Sequence, residues 1–367
     1  MSATTPSLSG VLDGVQVVEL AQMVAAPTCG TILMEFGATV VKVEPPLGDI
    51  ARTMGPLVAP DESAIWRSTN HGKQVYTADI REPEGRSLLL ELLAKADVFV
   101  TNLNRTFREL YGLDRPSLQR LGLELIYVEV SAFGSGGLPG SDSLIQAATG
   151  LMAATGPPGE GGYRAAAPVI DVAGGVWCAL GVLAALPELR SHGGGRHLTV
   201  SLEDVAVHLQ LPLLAVADAD GGQLEPSGNA SPLAPTVVVG TASRPVAMSI
   251  LTDKHWHALC TELDVPGLAD DARFSTHQNR TMHQAALGQE IGDCFRRDDQ
   301  ETWVQRLQGA GVPCAPVRRY ADVLSEVRAW EIGVLERIAV PGGTSSVRAR
   351  LPLRWTDEPE SPQRSRR

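Results

Sequence analysis

Two short β-branched runs, VQVVEL (15 to 20) and TVVKVE (39 to 44), are separated by a stretch with the punctuation of one helix, opened at Pro27 and stopped by Gly37. The pattern then repeats. PEGRSLLLELLAKA (83 to 96) opens with Pro83, carries apolar residues at helical spacing and runs straight into DVFVTN. LIYVEVSAF (125 to 133) is a further strand of β-branched and aromatic residues. Strands alternating with helices of this length form βαβ units, which build a mostly parallel sheet with helices on both faces. The expected fold class is α/β: a mostly parallel, doubly wound sheet in a large domain, joined to a smaller α+β domain.

Composition shifts near residue 219, where DGGQLEPSGNASPLAP is rich in Gly, Pro, Ser and Asn and reads as a linker. Beyond it come one strand candidate, VAMSIL, and helical segments from about 253 to 310. VPCAPVRRYADVL, a short helix and a strand pair ending near Leu353 close the chain.

The 367 residues, 44% hydrophobic and 20% charged, are enough for two domains and a large core. A formal net charge of -11 argues against a nucleic-acid or anionic-membrane surface. Five scattered cysteines without CxxC spacing speak for a reducing compartment, and MSATTPSLSG has neither the basic nor the apolar region of a signal peptide. A cytoplasmic location is expected. The final PQRSRR reads as a solvated basic end.

Between Ala165 and Leu186 the only charged residue is Asp171. A carboxylate in so apolar a stretch must be neutralised, hydrogen-bonded or put to use. Gly174 and Gly175 follow at once, and the segment after them reads as a buried helix, which places Asp171 just ahead of a helix N-terminus. There the helix dipole and free N–H groups are expected to depress its pKa and keep it ionised. N–H groups around Gly174 and Gly175 are candidate donors to a developing oxyanion. The length of the run suits a membrane span, but Pro168, Asp171 and the glycine pair in its first half argue for a core helix.

Several motifs in order carry a family resemblance: GVQVVELAQMVAAPTCGTILMEFGATVVKVEPPLGD, NHGKQVYTADIREPEG, ADVFVTN, SLIQAATGLMAATG, PVIDVAGGVWCALGVLAAL, GGGRHLTVSLEDV and AGVPCAPVRRYADVL. The chain resembles the family III CoA-transferases, a group that also contains 2-methylacyl-CoA racemases. The resemblance implies that Asp171 is a nucleophile forming a mixed anhydride and then an aspartyl-CoA thioester, with no permanently bound cofactor. It implies coenzyme A contacts at Val24 and Ala25, at Ala78, Asp79 and Arg81, and at Asn102, Asn104 and Arg105, with Gln146 fitting the transferase pattern. The substrates implied are an acyl-CoA and a carboxylic acid. An interlocked homodimer is implied as well, with a large CoA-binding domain from residues 1–218 and 312–367 around a linker and small domain at 219–311.

The chain departs from the family in three places. Leu110-Tyr111-Gly112 lacks the Arg usual before the glycine, leaving Arg105 and Arg108 upstream as substitutes. Residues 226–235 read PSGNASPLAP where some members carry a glycine-rich loop over the thioester. Racemases carry a histidine immediately before the residue matching Asp142, and here that residue is Ser141, which is no base at neutral pH. Asp142 reads as the cap of the helix through Gln146. Racemisation and a non-catalytic acyl-CoA-binding or partner subunit stand as the alternatives. No metal site is expected, since His255 and His257 fall on different helix faces. Gly134, Gly136, Gly137 and Gly140 lack the helix start and acidic partner of a dinucleotide site.

Overall fold

The computed structural model describes residues 10–134, 138–222, 224–231, 233–326 and 330–353. The readings of the two chain ends, Gly136 and Gly137 lie outside them. Within the first part of the chain the elements run β1 (Gln16–Leu20), α1 (Ala25–Glu35), β2 (Thr39–Glu44), β3 (Leu57–Ala59), β4 (Glu62–Ser63), α2 (Ala64–Asn70), β5 (Gln74–Thr77) and α3 (Pro83–Leu93). Then come β6 (Val98–Thr101), α4 (Arg105–Leu110), α5 (Arg115–Arg120), β7 (Ile126–Ser131), α6 (Asp142–Ala148), α7 (Val169–His192), β8 (His197–Ser201) and α8 (Leu202–Leu209).

Six of these strands form one sheet in the order β5-β2-β1-β6-β7-β8, and every pairing in it is parallel. Central strands of such a sheet are covered on both faces, and β6 is buried along its whole length. On one face Val18, Val43, Phe99 and Tyr127 pack with Leu89 and Leu93 of α3 and Leu118 of α5. Each such fully buried side chain contributes about 1.5–3 kcal/mol. α1 and α7 pack against each other, with Cys29, Leu33, Cys178 and Val182 fully buried. Winding outward from β1 in both directions puts the change of direction between β1 and β6. At such a point the loops after neighbouring strands part and leave a crevice at their carboxyl ends, where ligands of open α/β sheets bind.

Contacts divide the chain into two compact units. One holds the described residues within Met1–Ala148, Ala166–His208 and Val327–Arg367, and the other Thr149–Ala165 and Leu209–Glu326. These bounds differ from the division expected at 219 and 311. Residues after 311 fall in the second unit because Cys314–Pro316 pairs with Val246–Ser249 as an antiparallel strand. Residues 149–165 fall there too: the Gly228 N–H donates to the Gly156 carbonyl at 2.8 Å, and the Gln210 amide to the Thr149 carbonyl at 3.2 Å. The third strand of this small sheet, Thr236–Val239, was not anticipated, because TVVV directly follows a Gly/Pro-rich run. Trp256, Leu259, Phe274, Phe295 and Trp303 fill this unit's core.

Candidate active site

α7 begins earlier than the sequence suggests. Pro168 is its N-cap residue, and Asp171 is the third residue inside the helix rather than a residue ahead of it. The reason lies on α6. Asp142 Oδ1 accepts the N–H groups of Ile170 at 2.8 Å and Asp171 at 3.1 Å, so a side chain from another helix supplies the cap. This corrects the reading of Asp142 as the cap of its own helix. Gln146, fully buried one turn along α6, donates its amide N–H to Asp142 Oδ2. Gln146 therefore orients Asp142.

Asp171 is 9% exposed, and among the described residues no hydrogen-bond partner meets its carboxylate. Burial, reinforced by the Asp142 charge, pushes its pKa up to about 6. The expected depression is thus reversed. Asp142 already occupies the N–H groups that were to stabilise the anion, and it adds a second negative charge. At neutral pH Asp171 remains mostly ionised, as a desolvated carboxylate more basic than a surface aspartate.

Gly174 and Gly175 are not oxyanion donors. They lie inside α7, where backbone N–H groups are committed to the helix. Their role is close packing: a Cβ on Gly174 would stand 2.5 Å from Leu202 Cδ2, and one on Gly175 2.5 Å from Thr28 Cβ and 2.7 Å from the Ala25 carbonyl oxygen. α7 is thereby seated on the first turn of α1.

The residues expected at coenzyme A are brought together along the carboxyl edge of the sheet. Val24 and Ala25 follow β1, Ala78, Asp79 and Arg81 follow β5, and Asn102, Asn104 and Arg105 follow β6. Their side chains have distinct local duties. Asn102 clamps the loop after β1, accepting the Gln22 N–H at 3.0 Å and donating to the Gln22 carbonyl at 2.8 Å. Asn104 caps α4 through the Phe107 N–H at 2.8 Å. Arg81 is exposed and forked onto Asp79 at 2.7 and 2.8 Å, and Arg105 is exposed on Glu109 at 2.6 Å. Arg108 turns inward, donating to Tyr127 Oη at 2.9 Å and pairing with Glu129, which removes it as a substitute arginine.

Sequence reasoning missed Glu19, Lys42 and Asp49, all fully or almost fully buried beneath this edge. For two of them a signal was present: Glu19 and Lys42 are charged residues within the β-branched runs of two parallel strands.

The sequence matches the model of CoA-transferase family III over residues 12–366. The chain belongs to this family. Among its relatives are the succinate–glutarate CoA-transferase of Agrobacterium fabrum, 30% identical over 96% of this chain and 92% of that one. Another is the acetyl-CoA:oxalate CoA-transferase of Acetobacter aceti, 31% identical over 88% and 85%. A solved CaiB/BaiF family protein from Brucella suis superposes with a TM-score of 0.84 at 30% identity, covering 96% of this chain and 94% of the other. This family III CoA-transferase uses an acyl-CoA and a carboxylic acid as substrates. Racemisation is not favoured: the relatives named here are CoA-transferases, and the residue before Asp142 is serine.

Proposed function

We propose that this enzyme moves coenzyme A between short dicarboxylic acids through covalent intermediates on Asp171. One observation carries the reading: a buried, ionisable carboxylate with no donor among the described residues, held by a capped helix beside the carboxyl edge of the sheet. An Asp171 oxygen attacks the thioester carbonyl carbon, the C–S bond breaks, and a mixed anhydride and the CoA thiolate result. The thiolate then attacks Asp171 Cγ and expels the donor acid as its carboxylate, leaving an aspartyl-CoA thioester. The acceptor carboxylate repeats the first step on this thioester, and the returning thiolate takes the acceptor's acyl group and frees Asp171. No net proton transfer is needed. Short dicarboxylic acids are chosen because relatives bear the names of succinate, glutarate and oxalate enzymes.

Coenzyme A is assigned to the loops after β1, β5 and β6, with Arg81 and Arg105 as exposed partners for its phosphates. The working form is a homodimer of interlocked chains, located in the cytoplasm. Support for the dimer comes from α7, where Val169, Val172, Val176 and Leu180, at spacings of one helix face, are 37–51% exposed. Support for the location comes from the five cysteines, all of them free thiols.

The test is a mass measurement on the intact protein after incubation with an acyl-CoA alone. An adduct of the mass of coenzyme A less water, mapped to Asp171 and discharged by an acceptor acid, is expected. Full turnover with no adduct on this residue contradicts the reading.

A further inference from the structure

The loop that leaves β1 carries an unusual backbone: Met23, which is not glycine, has φ 70°. Such a conformation persists only where its surroundings fix it. Here the fixing groups are buried side chains. Asp49 Oδ1 accepts the Met23 N–H at 3.1 Å, and Lys42 Nζ donates to the Ala21 carbonyl at 2.7 Å. Lys73 Nζ donates to the Pro27 carbonyl at 2.8 Å, and Asn102 holds Gln22 at both its N–H and its carbonyl. The segment from Ala21 to Pro27 is therefore pinned at both ends and at its strained centre.

The pins are themselves coupled. Glu19 bridges the two lysines, at 2.8 Å from Lys42 Nζ and 2.7 Å from Lys73 Nζ, and Lys42 also faces Asp49 Oδ2 at 3.0 Å. Glu19, Lys42, Lys73 and Asp49 thus form two carboxylate–ammonium pairs without net charge. Burial works against the charge on Lys42, yet Glu19 and Asp49 hold its pKa above the ordinary value. The cluster leaves no space: a Cβ on Gly30 would stand 2.3 Å from Glu19 Oε2. Taking four charges out of water is a costly way to hold a fold, since apolar residues of similar volume commonly serve as well. What the charges add is direction. Lys42, Lys73 and Asp49 each aim a donor or acceptor at a backbone group between Ala21 and Pro27, Glu19 holds the two lysines, and the Ala25 carbonyl of that segment lies against Gly175, one turn beyond Asp171 on α7.

We infer that Asp49 and Lys42 are positioning residues for acyl-CoA, acting through the loop from Ala21 to Pro27. The inference rests on the placement of coenzyme A proposed above. Asp49 and Lys42 touch neither substrate nor nucleophile. They set the height of Val24 and Ala25 at the crevice between β1 and β6, and so fix the thioester relative to Asp171.

The experiment uses the full-length enzyme and acetyl-CoA or succinyl-CoA as probe. Hydrogen exchange of the unmodified enzyme comes first. Slower exchange of the amides from Gln22 to Ala25 on adding coenzyme A supports its placement there, and unchanged exchange overturns that placement. Steady-state kinetics of Asp49→Ala and Asp49→Asn come second. Asp49→Ala is expected to raise KM for the acyl-CoA about tenfold or more while kcat changes by less than about threefold. Asp49→Asn, which retains an acceptor for the Met23 N–H, is expected to fall between it and the unmodified enzyme.

Because removing one partner of a buried ion pair is strongly destabilising, Asn102→Ala tests the same loop from its other side without stranding a charge. The same rise in KM, with faster exchange at Gln22 and Met23, is expected. If coenzyme A protects this loop but the folded variants lose only thermal stability and keep the original KM, the cluster is merely structural and the inference is wrong. If Asp49→Ala does not fold, Asp49→Asn decides, because Asn102 itself stands at the proposed coenzyme A contacts: an unchanged KM in the folded Asp49→Asn variant with faster exchange at Met23 overturns the inference.

Discussion

Asp142 Oδ1 accepts the backbone N–H of Asp171 at 3.1 Å, so the group that starts α7 is also the charge that helps raise the Asp171 pKa. Capping and electrostatic tuning come from one side chain. A neutral cap such as serine would hold the helix equally well but leave Asp171 a weaker base.

On the proposed mechanism the rate of transfer is expected to follow the ionisation of Asp171. With a pKa of about 6, kcat rises as pH increases through 6 and levels off above 7. Asp142→Asn keeps an acceptor for the cap and removes the charge, so the rising limb moves down by about half a unit to one unit. A pH–rate profile of both proteins checks this, and an unmoved limb means that Asp142 does not tune the nucleophile.

Asp171→Asn is expected to abolish transfer while making the fold more stable at pH 7. The carboxyl's ordinary pKa is 3.8 and it is pushed up to about 6 in the fold, so the native state binds more protons than the unfolded chain between these values. Stability therefore falls as pH rises from 4 to 6, a loss of about 3 kcal/mol for a shift of this size. The asparagine variant lacks that loss. Urea titrations at pH 4 and pH 7 are expected to show the variant gaining on the parent only at the higher pH.

Gly175→Ala is expected to cost about 1–3 kcal/mol by overpacking, because its Cβ meets backbone as well as side chain on α1. Gly174→Ala is expected to cost less, because it meets the flexible end of Leu202. Equal urea midpoints for the two variants contradict this account of the glycine pair.

Much of the fold was legible. β2 stands where TVVKVE placed it, and the Pro83 helix start is found as read, because parallel strands and N1 prolines leave local signals. The family was legible from motif order. The electrostatics were not, since the Asp171 shift comes from burial in the folded chain and from the charge of Asp142, 29 residues away. Asn102 likewise shows its duty only once β1 and β6 lie side by side, 80 residues apart in sequence. The small-domain strand Thr236–Val239 was hidden because only its pairing with Val246–Ser249 distinguishes it from the loop before it.

The exposed stripe on α7 predicts an oligomer. Val176→Glu combined with Leu180→Glu places two charges on that face and is expected to halve the solution mass by light scattering, from twice the chain mass to once. A parent protein that is monomeric at micromolar concentration contradicts the dimer.

In the proposed mechanism Asp171 gives one carboxylate oxygen to the donor acid and takes one from the acceptor in each turnover. The direct measurement is turnover with an acceptor acid labelled with 18O in its carboxylate, followed by mass analysis of the peptide carrying Asp171. The acceptor's oxygen bridges the second anhydride, so one 18O is expected to appear in Asp171 as labelled acid is converted to its CoA ester. Complete conversion with no label in Asp171 would contradict the covalent mechanism.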